Sequence, residues 1–331
     1  MRVRLPSLPR VATLRRMNTA VRYRLRRRGI DHGFASEVPR SLAWARAEPE
    51  VLRAAVRPSR ARKEIAQALR LLDRLRVGED LASLVELPRG FRFAGTTVSP
   101  GDPLELHKLH VVPPGRAREL YVKANWLSTH PRDGSMRLRF SYGAEILDDW
   151  LDDPASARAT LGLLEGTFPA CRLTTRDAGI ARAIRRRLGR GFRFVQPIVY
   201  SNTSGGGALM HHDYVPAQAG VCFTQLAGRT GWLALPKAVL ARQVQEHTGR
   251  WRDTAALLAG LESHRAERLR ALINEDGAFS RRLAASGWFF ALAPGDAILL
   301  PSHTELESAW HSVFSLSEGE NLALSCGIVG G

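Results

Sequence analysis

Short runs of apolar residues, separated by Gly and Pro turns, dominate the chain from about residue 90 onward. Such runs predict β-strands, either alternating in polarity or continuously apolar where both faces are buried. They occur at residues 91–98, 104–112, 120–127, 135–141, 192–201, 221–226, 232–236, 288–292, 297–301 and 321–329. The runs at 120–127 and 135–141 flank a short turn and predict a hairpin. Many short strands with such turns are typical of a jelly roll, whose interior can hold a ligand.

Other stretches show apolar residues at three- and four-residue steps, which predict helices. They lie at 41–77, with an interruption at Pro58, at 144–167, at 174–189 and at 237–285. The last stretch separates predicted strands and is therefore predicted to be a helical insertion. The pattern as a whole predicts a mainly β protein with helices. Residues 1–90 would form a basic helical N-terminal region and residues 91–331 the β domain.

The charge of the chain is concentrated near its beginning. The 331 residues carry a formal net charge of +16, and residues 1–90 contribute 21 Lys and Arg against 9 Asp and Glu. An arm of this kind is attracted to nucleic acid, to an acidic protein or to an anionic membrane surface. Only four lysines occur in the chain, so a general preference for arginine explains the arm equally well. Without a zinc-finger or RNP motif, nucleic acid is the less favoured partner.

The cysteines and the hydropathy bear on the cellular compartment. Cys171, Cys222 and Cys326 are scattered and lack CxxC spacing, which argues against a disulfide scaffold and against a structural zinc site. The first residues have no apolar core of a secretory signal, and no run of eighteen apolar residues occurs. We therefore expect a cytoplasmic protein without a transmembrane helix.

The candidate chemistry lies at His211, Asp213 and His311. Two residues that are two positions apart in a strand point to the same face, so His211 and Asp213 would project together. A histidine from a later strand would complete two imidazoles and one carboxylate, the facial triad of non-haem Fe(II) oxygenases. His212 could replace His211, although strand alternation turns it to the other face, and His303 could replace His311. Alternatively, all these histidines are ordinary polar residues, at a desolvation cost if they lack partners.

Four ordered motifs resemble the double-stranded β-helix core of JmjC-type, cupin-like 2-oxoglutarate oxygenases. They are H-x-D at 211–213, G-x-x-x-W at 228–232 before Pro236, P-G-D at 294–296 before Pro301, and W-H-x-V-x-S-L at 310–316. The resemblance implies a jelly-roll, cupin-like fold in which His211, Asp213 and His311 bind Fe(II). It further implies that 2-oxoglutarate and dioxygen occupy the remaining positions on the metal. Oxidative decarboxylation to succinate and CO2 would then be coupled to hydroxylation of a substrate.

The chain departs from this family at the residue expected to bind the cosubstrate. The lysine that pairs with the distal carboxylate of 2-oxoglutarate is replaced by Thr230. Threonine can donate one hydrogen bond but cannot neutralise a carboxylate. We therefore expect Thr230 to act together with a basic residue, since guanidinium groups bind carboxylates bidentately. The candidates are the neighbouring Arg229, and Lys123, Arg137 or Arg139 from earlier strands.

The leading hypothesis is an Fe(II)- and 2-oxoglutarate-dependent hydroxylase acting on an acidic peptide or protein, or on a small metabolite. The alternatives are a metal-dependent cupin enzyme that does not use 2-oxoglutarate and a non-catalytic binding module that works through the basic arm. Gly205, Gly206 and Gly207, just before the H-x-D motif, would either permit close approach of the substrate or simply form a turn. Any homodimer would use the N-terminal helices or the insertion.

Overall fold

Two antiparallel β-sheets, packed face to face, form the centre of the molecule. The structure is a computed structural model that describes residues 47–97, 105–126 without 116 and 118, 134–142, 153–189, 191–214, 218–263, 266–302 and 304–330 without 305 and 320. The basic arm and His303 lie outside the described residues. The prediction of a mainly β protein with helices is confirmed.

The described residues contain thirteen strands. They are β1 (Glu50–Leu52), β2 (Arg92–Thr97), β3 (Glu105–Val112), β4 (Leu120–Trp126), β5 (Met136–Tyr142), β6 (Phe192–Asn202), β7 (Gly207–His211), β8 (Gln218–Ala227), β9 (Thr230–Pro236), β10 (Phe289–Leu292), β11 (Ala297–Pro301), β12 (Ala309–Ser315) and β13 (Asn321–Gly330). The large sheet has the order β1-β11-β8-β13-β6-β5-β4-β3-β2, and the small sheet has the order β10-β9-β12-β7. The pairing of β4 with β5 confirms the predicted hairpin.

The helices flank both sheets. They are α1 (Arg62–Arg76), α2 (Leu81–Leu84), α3 (Pro154–Thr167), α4 (Arg172–Thr175), α5 (Ala178–Leu188), α6 (Lys237–Thr248), α7 (Thr254–Glu262), α8 (Glu267–Glu275) and α9 (Gly277–Leu283). Helices α6 to α9 lie within residues 237–285, the stretch predicted to be a helical insertion. Across the described ranges, no helix combines the length and the hydropathy needed to cross a membrane.

Three apolar cores hold these layers together. Strand alternation sends one face of the large sheet against α1, α3 and α5, where Leu72, Phe140 and Ile184 are fully buried. The other face packs on the small sheet through side chains such as Phe223 and Trp232. The outer face of the small sheet is covered by the insertion helices. Burial of each large apolar side chain stabilises the fold by roughly 1.5–3 kcal/mol. The three cores therefore hold the sheets and the insertion together.

The prediction of a helix over residues 41–77 is wrong for the residues around Val51. Glu50–Leu52 form β1, which pairs with Ala297–Leu299 of β11 at the edge of the large sheet. The carboxylate of Asp296 fixes the chain that follows, accepting hydrogen bonds from the Ala54 N–H at 2.9 Å and from Arg53 Nη1 at 2.6 Å. Tertiary pairing therefore overrides a weak local period, and the helix begins only after the turn at Pro58–Ala61.

Candidate metal centre

The end of β7 and the adjacent strand β12 bring the candidate ligands together. His211 is the last residue of β7 and lies directly opposite His311 of β12, with 4.3 Å between the ring centroids. Asp213 follows two residues later. Its Oδ1 lies 3.4 Å from His211 Nε2, and its Oδ2 lies 3.4 Å from His311 Nε2. One ligand atom from each residue lies within 4.8 Å of the others. Ligands bound to one metal at about 2.1 Å are separated by about 3 Å or more, so the spacing fits a single ion.

Backbone carbonyl groups orient both imidazoles. His211 Nδ1 lies 2.6 Å from the Leu209 carbonyl oxygen, and His311 Nδ1 lies 3.2 Å from that of Ala309. A carbonyl oxygen can only accept, so each Nδ1 carries a hydrogen, and Nε2 is the ring nitrogen that faces Asp213 and would bind a metal. This arrangement is the usual support for a metal-binding histidine. The donor set is two neutral imidazole nitrogens and one carboxylate.

The three groups determine one another's protonation. Burial raises the pKa of Asp213, but the charges and hydrogen bonds of His311 and His211 outweigh it and hold the pKa well below its usual range. Burial also lowers the pKa of His211, and here Asp213 prevails and raises it. The pKa of His311, whose residue is only 3% exposed, is lowered by burial and by the charge of His211. Asp213 is therefore ionised near pH 7, and His311 loses its proton more readily than His211, whose proton a bound metal would displace.

A cavity of about 360 Å³ lies between the sheets and contains the three ligands. Part of its wall is apolar, and its polar groups include two arginines from β5. Asp213 is the one carboxylate among the described residues that line it. The remaining lining residues are Arg137, Arg139, Gln196, Ile198, Tyr200, Asn202, Ala208, His212, Tyr214, Gln218, Val221, Phe223, Trp232, Leu300, Val313, Ser325 and Gly327.

Arg137 and Arg139 alternate with buried residues of β5 and therefore face the same side of the large sheet. Arg137 pairs with Tyr200 of the neighbouring strand β6. Burial raises the pKa of Tyr200, and so does Asp213, whereas the charge of Arg137 opposes the increase. The same charge opposes protonation of His211. Arg137 Nε is buried and has no hydrogen-bond partner among the described residues. Arg137 thus places a positive charge within reach of the triad.

The residues predicted to hold the cosubstrate are distributed differently from expectation. Thr230 is fully buried, donates to Gln225 Oε1 at 2.8 Å and accepts from Trp232 Nε1 at 3.0 Å. Arg229 is exposed on the turn before β9, and Lys123 lies on β4 beside Arg139. None of these three lines the cavity, and the prediction that they bind the cosubstrate finds no support in this geometry. Arg139 does line it.

Several cavity residues were not singled out from the sequence. Tyr200 belongs to a predicted strand, and alternation alone would have offered it as an inward-facing residue. Gln196 has a φ of 47°, a left-handed conformation that is uncommon for a residue other than glycine. It lies where the pairing of β6 with β13 shifts register between Ser325 and Gly327. No local sequence signal marks that bulge.

The glycines before the H-x-D motif serve the packing of strands. A Cβ on Gly207 would lie 1.9 Å from the Val313 carbonyl oxygen, so β7 approaches the backbone of β12 at this point. The approach coincides with a shift in register between His311 and Val313. Gly205, with a φ of 69°, forms the preceding turn. Gly207 therefore helps to set the distance between the strands that carry the two histidines.

Comparisons with known proteins give little further information. No protein-family model matches the chain, and no curated protein matches it. Matches occur among solved structures. One is a crystal structure of an oxidoreductase of the 2OG-Fe(II) oxygenase family from Burkholderia pseudomallei, with 14% identity and a TM-score of 0.32 over 94% of this chain and 90% of that chain. A likeness this weak carries no argument, and the conclusions below depend on the geometry of the site.

Proposed function

We propose that this protein is an Fe(II)- and 2-oxoglutarate-dependent oxygenase that hydroxylates its substrate. The observation that carries the proposal is the His211–Asp213–His311 triad, in which the Nε2 atoms of both histidines face one carboxylate. Two nitrogens and a carboxylate on one side of an ion suit Fe(II) with exchangeable positions, in contrast to a closed four-ligand zinc site. The triad lies in a cavity that also contains two guanidinium groups.

The strand order supports a double-stranded β-helix for the last eight strands. From β6 to β13 the chain places β6, β8, β11 and β13 side by side in the large sheet and β7, β9, β10 and β12 in the small sheet. The chain therefore passes repeatedly between two facing four-stranded layers, as in a jelly roll of eight strands. The site lies between these layers, where such folds hold ligands.

Each residue has a role in the proposed reaction. His211, Asp213 and His311 would hold Fe(II), which with 2-oxoglutarate would supply oxidative decarboxylation and hydroxylation. The Nδ1 hydrogen bonds keep both imidazoles in the tautomer that binds metal. The apolar wall formed by Phe223, Trp232 and Val313 keeps water from the reacting groups. We assign the distal carboxylate of the cosubstrate to Arg137, which lines the cavity from β5 and has a buried Nε without a hydrogen-bond partner among the described residues.

The charges of the cavity favour this function over a metal-dependent cupin enzyme that does not use 2-oxoglutarate. The positive charges of a divalent ion, Arg137 and Arg139 would together exceed the single negative charge of Asp213. A dicarboxylate would neutralise much of that excess, and guanidinium groups bind carboxylates with suitable geometry.

We further propose an anionic substrate, either an acidic peptide or an acidic small metabolite. Lys108, Lys123 and Arg139 lie directly opposite one another on β3, β4 and β5. Three positive charges in one row would attract an anion to this part of the sheet. The row leads to the cavity through Arg139. Cytoplasmic location, a homodimer and a role for the basic arm remain predictions.

The test is anaerobic titration of the full chain with Fe(II) and then 2-oxoglutarate, followed by succinate measurement in air. We expect the weak visible charge-transfer band of this class of enzyme, and its loss in Asp213→Ala and His311→Ala. His247→Ala is a matched control, because His247 lies in the insertion and pairs with Asp276. A chain that demonstrably binds Fe(II) but gives neither band nor succinate would refute the proposal.

A further inference from the structure

A chain of three polar side chains connects the end of β7 to the helical insertion. His212 Nε2 lies 2.8 Å from Glu262 Oε2 at the end of α7, and Glu262 Oε1 lies 2.5 Å from Lys237 Nζ at the start of α6. The Tyr214 N–H donates to His212 Nδ1 at 3.1 Å. Because Nδ1 accepts, Nε2 carries the hydrogen and donates to Glu262. His212 is therefore fixed on both ring nitrogens.

Within these three linked side chains, His212 is the residue that lies next to the candidate metal ligands. It lies between His211 and Asp213 and also lines the cavity, but its Nε2 is directed to Glu262 of the insertion. Its ring packs against Trp310, the residue before His311, with 5.2 Å between centroids. His212 thus contacts Trp310, the residue before His311, and Tyr214, the residue after Asp213, although it is not one of the three candidate ligands.

A second contact from the insertion acts on the same strand. Among the strands that the structure describes, β7 is at the edge of the small sheet and pairs on one side only, with β12. There the Met210 N–H donates to Asn274 Oδ1 of α8 at 2.9 Å. Glu262 and Asn274 therefore bond to the residues immediately after and before His211. The insertion takes the place of a further strand at this edge.

The ion pair of Lys237 and Glu262 also holds the His212 ring in place. Lys237 is only 1% exposed, and burying an ammonium group requires a well-placed counter-charge. Glu262 supplies that charge and holds His212 with its other oxygen. The pair therefore anchors the His212 ring to the start of α6 and the end of α7.

We propose that His212, Glu262 and Lys237 are positioning residues, through which the insertion holds the H-x-D segment in the geometry that binds metal. The inference rests on the metal site of the proposed function but not on the use of 2-oxoglutarate. It predicts that breaking the link between His212 and Glu262 weakens metal binding, even though no ligand is removed.

The experiment uses the full chain and Co(II) alone, without 2-oxoglutarate, and measures the dissociation constant and the visible spectrum of bound Co(II). His212→Gln keeps a donor near the position of Nε2, whereas His212→Asn keeps only the acceptor near Nδ1. We expect His212→Asn and Glu262→Ala to weaken Co(II) binding about tenfold and to alter the spectrum, as loss of residues that support metal ligands does. His212→Gln should retain most of the affinity.

Glu246→Ala is the matched control, because Glu246 forms an ion pair with Arg282 within the insertion, away from β7. It should leave the Co(II) spectrum unchanged. Unaltered affinity and spectrum in folded His212→Asn and Glu262→Ala would overturn the inference. Equal losses in His212→Gln and His212→Asn would also overturn it, since they would assign the effect to ring packing on Trp310. Normal Co(II) binding without a 2-oxoglutarate band would refute only the proposed reaction.

Discussion

Replacing Arg137 with methionine tests the assignment of the cosubstrate. Methionine fills similar space but removes the guanidinium group that faces the triad from β5. The metal ligands remain, so we expect Fe(II) binding to persist while 2-oxoglutarate binding weakens. Arg137→Lys keeps the charge but loses the planar fork, and its affinity should fall between those of wild type and Arg137→Met.

The size of the effect follows from the environment of Arg137. At about 4 Å and an effective dielectric constant near 20, two unit charges attract by about 4 kcal/mol. Desolvation of both groups reduces this gain, and hydrogen bonds to charged groups contribute about 1.5–3 kcal/mol. Each 1.4 kcal/mol of lost binding free energy lowers the affinity about tenfold, so loss of about 1.5–3 kcal/mol should raise the dissociation constant of 2-oxoglutarate about 10- to 150-fold. Arg137 Nε is buried, which favours the upper part of this range.

The assay is anaerobic titration of the Fe(II)-loaded variants with 2-oxoglutarate, followed through the visible band. Arg139→Met is the matched control. The Cα atoms of residues two positions apart in a strand are separated by about 6–7 Å, so the two side chains enter the cavity from different points and their losses can be compared. Wild-type affinity in Arg137→Met, or a larger loss in Arg139→Met, would refute the assignment.

Two further predictions concern the fold around the site. Gly207→Ala places a methyl group against the Val313 carbonyl oxygen, so it should lower the unfolding free energy by about 3 kcal/mol or more and weaken Co(II) binding. The control is Gly162→Ala, in an open position of α3, which should not destabilise the protein. Equal behaviour of the two variants would contradict the reasoning. Asp276→Ala removes the carboxylate that accepts from the Ala278 and Phe279 N–H groups and should cost about 1 kcal/mol. Burial raises the pKa of Asp276, but these hydrogen bonds and His247 lower it overall, so its contribution is present near neutral pH and is lost as the pH falls through the lowered pKa. Denaturant unfolding of wild type and Asp276→Ala between pH 7 and pH 3 would measure this, and a difference that did not shrink with acid would contradict it.

The strands and the insertion could be predicted because their signals are local. Alternation along β5 placed Arg137 and Arg139 on one face, and helical spacing marked α6 to α9. Residues around Val51 were misassigned because their conformation depends on β11, more than two hundred residues away. A short apolar run does not show whether its partner is a helix turn or a distant strand.

In the candidate site, too, the features set by neighbouring residues could be predicted and those set by distant strands could not. His211 and Asp213 follow from the two-residue period, and the structure brings both to His311. The side that Thr230 faces depends on the register of β9 and on Gln225, which its hydroxyl contacts. That Arg137 faces the metal ligands depends on the pairing of β5 with β6, which are separated by two longer helices. Neither contact leaves a trace in the local pattern.

His211 and Asp213 face the candidate metal position, whereas the Met210 N–H and His212 Nε2 bond to the insertion. The end of β7 is consequently held both by metal ligands and by insertion residues. Two sets of contacts that fix one segment must be thermodynamically coupled, and the coupling is reciprocal. If loss of the bond from Glu262 weakens metal binding tenfold, bound metal must strengthen that bond by the same factor. The helical insertion is then part of the metal centre in an energetic sense, although it supplies no ligand.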